Sequence, residues 1–135
     1  MLFWQVFAFL LLIVVSLPVN PSDEKYALLI DAGSSGTRAY LYKFSPVTNR
    51  PILLKNNDVN PGISSLKDST SEIKDYLHNM LSPILQEVGE EKEKVEVSMF
   101  ATAGLRLLSE SKAQEILRIS YESLLSFGLF VNEAN

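Results

Sequence analysis

The sequence predicts an α/β domain in which helices cover a mixed sheet, preceded by a hydrophobic N-terminal segment. Two observations predict this class. Within residues 26–32 an apolar run ends on Asp31, and residues 37–44 and 95–100 alternate between apolar and polar side chains; both patterns are typical of strands. Apolar residues recur at helical spacing in two longer stretches, one before and one after the last of these strands. Strands and helices therefore interleave along the chain.

Composition excludes several classes of protein. The chain of 135 residues carries a net charge of −4 and no basic cluster, which gives no support for nucleic-acid binding. It contains no cysteine and one histidine, which excludes a disulfide framework, a cysteine zinc site and a multi-histidine metal site. The length suits one small domain or part of a larger one.

The N-terminal segment, residues 2–17, is apolar except for Gln5 and Ser16. Its length falls between that of a signal-peptide core and that of a full membrane span. We expect residues 1–20 to be a signal peptide cleaved after Ser16 or a retained signal anchor; a buried core helix is the alternative. Either of the first two places the rest of the chain in the lumen of the secretory pathway or outside the cell.

The turn between the first two strands is rich in glycine and hydroxyl side chains, and it reads Asp31-Ala32-Gly33-Ser34-Ser35-Gly36-Thr37. Glycine lets another group approach the backbone closely, and successive backbone N–H groups can form an anion-binding nest. The hydroxyls add donors, and Asp31 adds a carboxylate able to hold a cation through water. These features predict a phosphate–metal pocket; an ordinary Gly/Ser hairpin is the alternative.

Residues 52–57 are predicted to add a third, antiparallel strand, and residues 59–65 a loop. Residues 95–100 form the next strand. Thr102 follows the end of that strand, as Asp31 stands at the end of the first. Polar residues at strand ends commonly line the ligand crevice of α/β sheets, so this coincidence favours the pocket.

The first helix is predicted to begin with a capping box formed by Ser69 and Glu72. Pro83 predicts a kink or break near residues 81–82, and Gly89 is the predicted stop. The predicted apolar face consists of Ile73, Tyr76, Leu77, Met80, Leu81, Ile84, Leu85 and Val88.

The second helix is predicted to begin at Ser109 or Ser111 and to stop at Gly128, before a strand at residues 129–131. Its predicted apolar face consists of Ala113, Ile116, Leu117, Ser120, Tyr121, Leu124 and Leu125.

Two segments resemble signatures of the apyrases, the ectonucleoside triphosphate diphosphohydrolases. The turn that begins at Asp31 resembles the first signature, residues 101–108 resemble the second, and residues 61–64 resemble a Pro-Gly-hydrophobic-Ser element between them. The second segment looks closest to the Golgi and endoplasmic-reticulum nucleoside diphosphatases. The resemblance implies that residues 21–135 are part of the first lobe of an actin-like (ribonuclease H-like) fold, with nucleotide and metal between two lobes.

The resemblance also implies roles for individual residues. Asp31 would hold Ca²⁺ or Mg²⁺ through water. Thr37 would brace the turn, and Thr102 would bond a phosphate oxygen or the attacking water. Phe100 departs from the glycine that many members have at that position. The residues implied to hold the phosphates of a nucleoside di- or triphosphate are Ser34, Ser35, Gly36, Thr37, Thr102 and Ala103.

Hydrolysis also needs a general base. In the family that this chain resembles, the base is a glutamate in a third signature, and a second Gly-rich loop forms the fourth. Neither occurs in this sequence, so none of its residues is assigned a catalytic role, and the base is expected beyond Asn135.

We interpret the chain as the N-terminal part of a metal-dependent nucleoside di-/triphosphate phosphohydrolase that removes the terminal phosphate, and we expect it to be inactive as given. An exopolyphosphatase-like phosphohydrolase is one alternative. A non-catalytic secretory nucleotide-binding or interaction protein is the other.

Overall fold

The computed structural model describes residues 24–66, 70–101 and 103–131, which form a mixed sheet with helices. The strands are β1 Lys25–Ala32, β2 Thr37–Phe44, β3 Pro51–Val59, β4 Val95–Ala101 and β5 Phe130–Val131. The helices are α1 Thr70–Leu85, α2 Ala103–Arg106 and α3 Glu110–Ser126, and short 3-10 helices lie at Ile63–Ser65 and Lys92–Lys94. The five strands lie in the order β3-β2-β1-β4-β5.

Strand β1 is the centre of the sheet. It pairs antiparallel with β2 and parallel with β4, so that Asp31 lies between Arg38 on one side and Phe100 on the other. Strand β3 pairs antiparallel with β2, and β5 pairs parallel with β4. The alternation of buried and partly exposed residues along β1 follows from the pleat, which directs successive side chains to opposite faces.

The hydrophobic core lies between one face of the sheet and helices α1 and α3. Leu28 and Ile30 of β1 are 0% exposed there, and α1 and α3 pack against each other over it. Every residue of the apolar face predicted for the first helix is buried, as the helical spacing indicated. Burial of this apolar stripe, rather than helix propensity, is the main source of stability for α1.

Most predicted elements are confirmed. The third strand is longer than predicted, because β3 spans Pro51–Val59 and the prediction was residues 52–57. The hairpin of β1 and β2 forms as expected, and the third strand is antiparallel. Ser109, not Ser111, is the N-cap of α3, because its side chain accepts a hydrogen bond from the Lys112 N–H. Gly128, with a φ of +76°, follows the end of α3, as expected for a helix stop.

The predicted apolar face of the second helix is partly wrong. Leu117 and Leu125 are 40% and 46% exposed, whereas Ile119 and Ser123 are buried. Apolar residues occupy two adjacent sides of α3. Packing against α1 buries the side that carries Ile119 and the small side chain of Ser123, and it leaves the side with Leu117 and Leu125 partly exposed. The Ser123 hydroxyl donates to the Ile119 carbonyl at 2.6 Å, so a polar side chain is buried there with its hydrogen bond made.

Pro83 does not break the first helix near residues 81–82, as the sequence predicted. α1 runs through Pro83 and ends at Leu85. Proline removes one backbone hydrogen bond, but Ile84 and Leu85 are buried in the core at 0% and 5% exposure, and this burial stabilises the last turn.

Several predicted features lie outside the described residues. They are the N-terminal segment of residues 1–20, the capping residue Ser69 and the second-motif residue Thr102. The expectation of a catalytic base beyond Asn135 concerns residues that are not in this sequence, and it stays a prediction. Within the described part of the chain, no helix is both long and apolar enough to cross a membrane.

Candidate active site

The turn of residues 33–36, which we call the phosphate turn, joins β1 to β2 at one end of the sheet. Ser34 and Ser35 are exposed to solvent. Gly36 is buried, and Thr37 is 0% exposed. The hydroxyl-rich tip predicted from the sequence therefore has an open side at the serines and a packed side at residues 36–37.

The packed side of the phosphate turn lies against the loop of residues 60–63, where the Asn60–Pro61 peptide bond is cis. A Cβ on Gly62 would collide with the Gly33 carbonyl oxygen and would lie 3.0 Å from the Ser34 carbonyl oxygen. Only glycine allows two backbones to approach this closely. The structure therefore gives the Pro-Gly element of the sequence a specific role, which is to support the phosphate turn.

Thr37 connects the same two segments by a hydrogen bond. The Ile63 N–H donates to Thr37 Oγ1 at 3.1 Å in a buried position. Tyr76 connects the loop to helix α1 as well, because its hydroxyl lies 2.8 Å from the Pro61 carbonyl oxygen. The buried hydroxyl of Thr37 is thus engaged by protein rather than presented to solvent, and it links the phosphate turn to the loop.

The second motif also reaches the phosphate turn. A Cβ on Gly104 of α2 would lie 2.8 Å from the Gly33 carbonyl oxygen and 2.9 Å from Ser64 Oγ. Ala103, which begins α2, is the residue before this contact. Gly33 is therefore the point on which the first motif, the Pro-Gly loop and the second motif converge, although they are separated by many residues in sequence.

Asp31 carries the acidic charge of the site and lies next to a basic residue. Arg38 Nη1 is 3.8 Å from Asp31 Oδ2, and Arg38 Nε is 3.6 Å from Asp58 Oδ1. The register places these three residues in one row across β3, β2 and β1. Both ion pairs are long, and the Asp31 side chain is 39% exposed, so its carboxylate remains accessible to solvent.

The donor set fits a hydrated divalent cation better than a fully protein-bound one. In the described parts of the chain, no three histidine, aspartate or glutamate residues cluster as a metal site. Mg²⁺ commonly keeps several waters and binds through one or two carboxylates plus substrate phosphates. The accessible carboxylate of Asp31, beside a turn with exposed hydroxyls, matches that chemistry.

Sequence reasoning missed two features of this site. Tyr76 has the spacing of an ordinary core residue on the apolar face of α1, and nothing local indicates that its hydroxyl reaches the loop. The row formed by Arg38, Asp58 and Asp31 depends on strand register, which the residue pattern does not fix for either strand pair.

The sequence profile of the GDA1/CD39 (nucleoside phosphatase) family matches residues 18–128. The guanosine-diphosphatase of Saccharomyces cerevisiae is 37% identical over an alignment of 98 residues that covers 70% of this chain and 19% of that protein. The nucleoside-triphosphatase ntp-1 of Caenorhabditis elegans is 33% identical over 90% of this chain and 24% of its own length. Ectonucleoside triphosphate diphosphohydrolase 1 of Rattus norvegicus is 35% identical over 93% of this chain and 27% of its own.

The fold of this chain resembles those of several solved structures. A Ppx/GppA family member from Aquifex aeolicus superposes with a TM-score of 0.56 at 17% identity, over 81% of this chain and 34% of that one. An exopolyphosphatase from Cytophaga hutchinsonii gives 0.52 at 20% identity, over 79% and 33%. These likenesses confirm the actin-like (ribonuclease H-like) fold.

The chain spans 19–27% of the length of the relatives named above. Together, the profile match and these relatives show that the chain belongs to the GDA1/CD39 nucleoside phosphatase family.

Proposed function

We propose that this chain is the phosphate-binding part of a metal-dependent nucleoside di- or triphosphate phosphohydrolase that removes the terminal phosphate. The observation that carries the proposal is the convergence on Gly33. Gly62 and Gly104 both pack against its carbonyl, so the two motif segments meet beside the carboxylate of Asp31. A packed, glycine-lined junction next to exposed hydroxyls and an acid suits a phosphate with its counter-ion.

In this proposal the residues of the phosphate turn act on the phosphates directly. Ser34, Ser35 and Gly36 donate hydrogen bonds to phosphoryl oxygens from hydroxyl and backbone N–H groups. Thr37 holds the turn in shape from its buried position. Ala103 and the neighbouring Thr102 are proposed to complete the pocket from the second motif. Fixed donors of this kind stabilise charge as it develops on the phosphoryl group.

Asp31 is proposed to hold Ca²⁺ or Mg²⁺ through coordinated water. A divalent ion bound there neutralises charge on the phosphate oxygens. Arg38 and Asp58 set the local electrostatics, because the arginine is shared between the two carboxylates. Because Arg38 also pairs with Asp58, it does not neutralise Asp31 alone, and the Asp31 carboxylate stays partly exposed.

Hydrolysis requires a group that this sequence does not identify. No glutamate here lies in the sequence context of the base in related apyrases, so we propose that the 135-residue chain binds nucleotide and does not hydrolyse it. The proposed site of action is the lumen of the secretory pathway or the cell exterior. The apolar residues 2–17 and the relatives named as ectonucleoside triphosphate diphosphohydrolases support that location.

An exopolyphosphatase-like activity is the second candidate, and the likeness to an exopolyphosphatase fold is what favours it. The likeness in sequence to nucleoside phosphatases ranks it lower. The two candidates differ in what must occupy the turn, since a nucleotide presents a short phosphate chain and a polyphosphate presents a long one.

The experiment that tests the proposal is a titration of the isotope-labelled chain with a nucleoside diphosphate, with and without Mg²⁺, followed by NMR. We expect saturable shifts at the amides of residues 34–36, strengthened by the metal, and no release of phosphate. Asp31→Asn keeps the side-chain volume and should remove the metal effect. Shifts that occur only with long polyphosphate would favour the second candidate, and shifts elsewhere in the chain would contradict both.

A further inference from the structure

One side chain of α1 holds the loop that supports the phosphate turn. The Tyr76 hydroxyl lies 2.8 Å from the Pro61 carbonyl oxygen and 3.2 Å from the Val59 carbonyl oxygen. Tyr76 is 9% exposed, and burial raises the pKa of its phenol. The hydroxyl is therefore protonated at neutral pH, and its single hydrogen is available for donation to one of these carbonyls, of which the Pro61 carbonyl is the nearer.

The loop contacts the phosphate turn directly and also contacts Thr37, the first residue of β2, which follows the turn. The Ile63 N–H donates to Thr37 Oγ1, and Gly62 packs directly on the carbonyls of Gly33 and Ser34. Closely packed segments transmit displacement to one another because little empty space remains between them. A shift of the loop would therefore change the direction of the amides in residues 34–36.

We propose that Tyr76 is a positioning residue for phosphate binding: its hydroxyl fixes the loop of residues 60–63, and the loop fixes the amides of the phosphate turn. This inference rests on the proposed function of that turn and adds a residue that does not touch the ligand. The ligand class is a phosphate or diphosphate group, for which inorganic pyrophosphate is a suitable probe.

Tyr26 provides a matched control. It is 7% exposed, and its hydroxyl lies 2.9 Å from Glu24 Oε2 and 3.1 Å from Glu91 Oε2. It stands near the start of β1, whereas Asp31 stands near the end of the same strand. Tyr26→Phe and Tyr76→Phe therefore remove the same hydroxyl from similarly buried positions, one far from the phosphate turn and one behind it.

The experiment uses the full 135-residue chain, labelled with ¹⁵N and kept in detergent. Amide hydrogen exchange without ligand reports the Ile63 N–H, and a pyrophosphate titration with Mg²⁺ reports the amides of residues 34–36. In Tyr76→Phe we expect faster exchange at Ile63 and pyrophosphate affinity reduced by about threefold to tenfold, the scale of one net hydrogen bond. In Tyr26→Phe we expect both quantities to stay at the values of the unmodified chain.

Thermal melts establish that each variant is folded. If Tyr76→Phe does not fold, Tyr76→Met removes the same hydroxyl with a flexible apolar side chain and should produce the same two changes. Unchanged Ile63 exchange and unchanged affinity in these variants overturn the inference, and so does an equal effect of Tyr26→Phe. If the unmodified chain shows no response to pyrophosphate, the proposed function fails for this chain. The ligand-free exchange at Ile63 then still decides whether the Tyr76 hydroxyl fixes the loop, and unchanged exchange in Tyr76→Phe overturns that part of the inference independently.

Discussion

Replacing Gly62 by alanine tests how closely the loop of residues 60–63 packs on the phosphate turn. The backbone of Gly62, with φ −63° and ψ 152°, is an ordinary extended conformation that alanine adopts without strain. From the backbone alone, the substitution should stabilise the fold by about 0.4–1 kcal/mol, because alanine has fewer conformations in the unfolded chain.

Packing predicts the opposite sign. The added Cβ would collide with the Gly33 carbonyl oxygen and would lie 3.0 Å from the Ser34 carbonyl oxygen and 3.2 Å from the Gly36 nitrogen. All three are backbone atoms, so no side chain can rotate away to relieve the contact. Overpacking costs about 1–3 kcal/mol, so we expect a net loss of about 1–2 kcal/mol. Each kcal/mol corresponds to a fall in Tm of about 4–8 °C for a domain of this size.

The assay is a thermal melt of the full chain by circular dichroism, with the amide spectrum of the phosphate turn as a second readout. Gly89→Ala is the control, because Gly89 has a φ of +56° and nothing within 4 Å of an added Cβ. That variant should lose stability through backbone strain while leaving residues 34–36 unperturbed. An unchanged or raised Tm for Gly62→Ala would refute the close packing of the loop on the turn.

Two further predictions concern charge. Asp31→Asn should weaken Mg²⁺-dependent nucleotide binding more than Asp58→Asn does, because of these two residues only Asp31 adjoins the phosphate turn. Calorimetric titration of both variants measures the difference. An equal effect would contradict the prediction, because it would reflect a general loss of negative charge. The hydrogen bond from Lys43 lowers the pKa of Glu24 from its ordinary value of 4.5, so its stabilising contribution is present above that value and is lost as the pH falls through the lower folded pKa. Glu24→Gln should therefore flatten the loss of Tm below about pH 4.5, and an unaltered acid limb would contradict the assignment.

The hairpin could be predicted from local sequence, whereas its register is a finding of the structure. A Gly/Ser turn between an apolar run and an alternating run indicates two antiparallel strands. Leu28, Leu29 and Ile30 are all apolar, however, so the pattern of β1 alone does not decide which of them face the core. The apolar stripe of α1 was clear from the sequence. The buried face of α3 could not be predicted in the same way, because Ile119 and Leu117 are both strongly apolar and only the position of α1 decides which of them is buried.

The candidate site could be predicted in its parts but not in its assembly. The phosphate turn and the second motif are visible as residue patterns. Their convergence on Gly33 depends on contacts from Gly62 and Gly104, which come from distant parts of the chain. The hydrogen bond of Tyr76 likewise depends on the path of the loop, and periodicity records only that the side chain is buried.

The most direct test of the central claim is an experimental structure of this chain with Mg²⁺ and a non-hydrolysable nucleoside diphosphate analogue. We predict that the terminal phosphate lies within hydrogen-bond distance of the amides of Ser34, Ser35 and Gly36, and that water links the metal to Asp31. A phosphate bound away from residues 34–36, with the turn unchanged and no metal near Asp31, would contradict it.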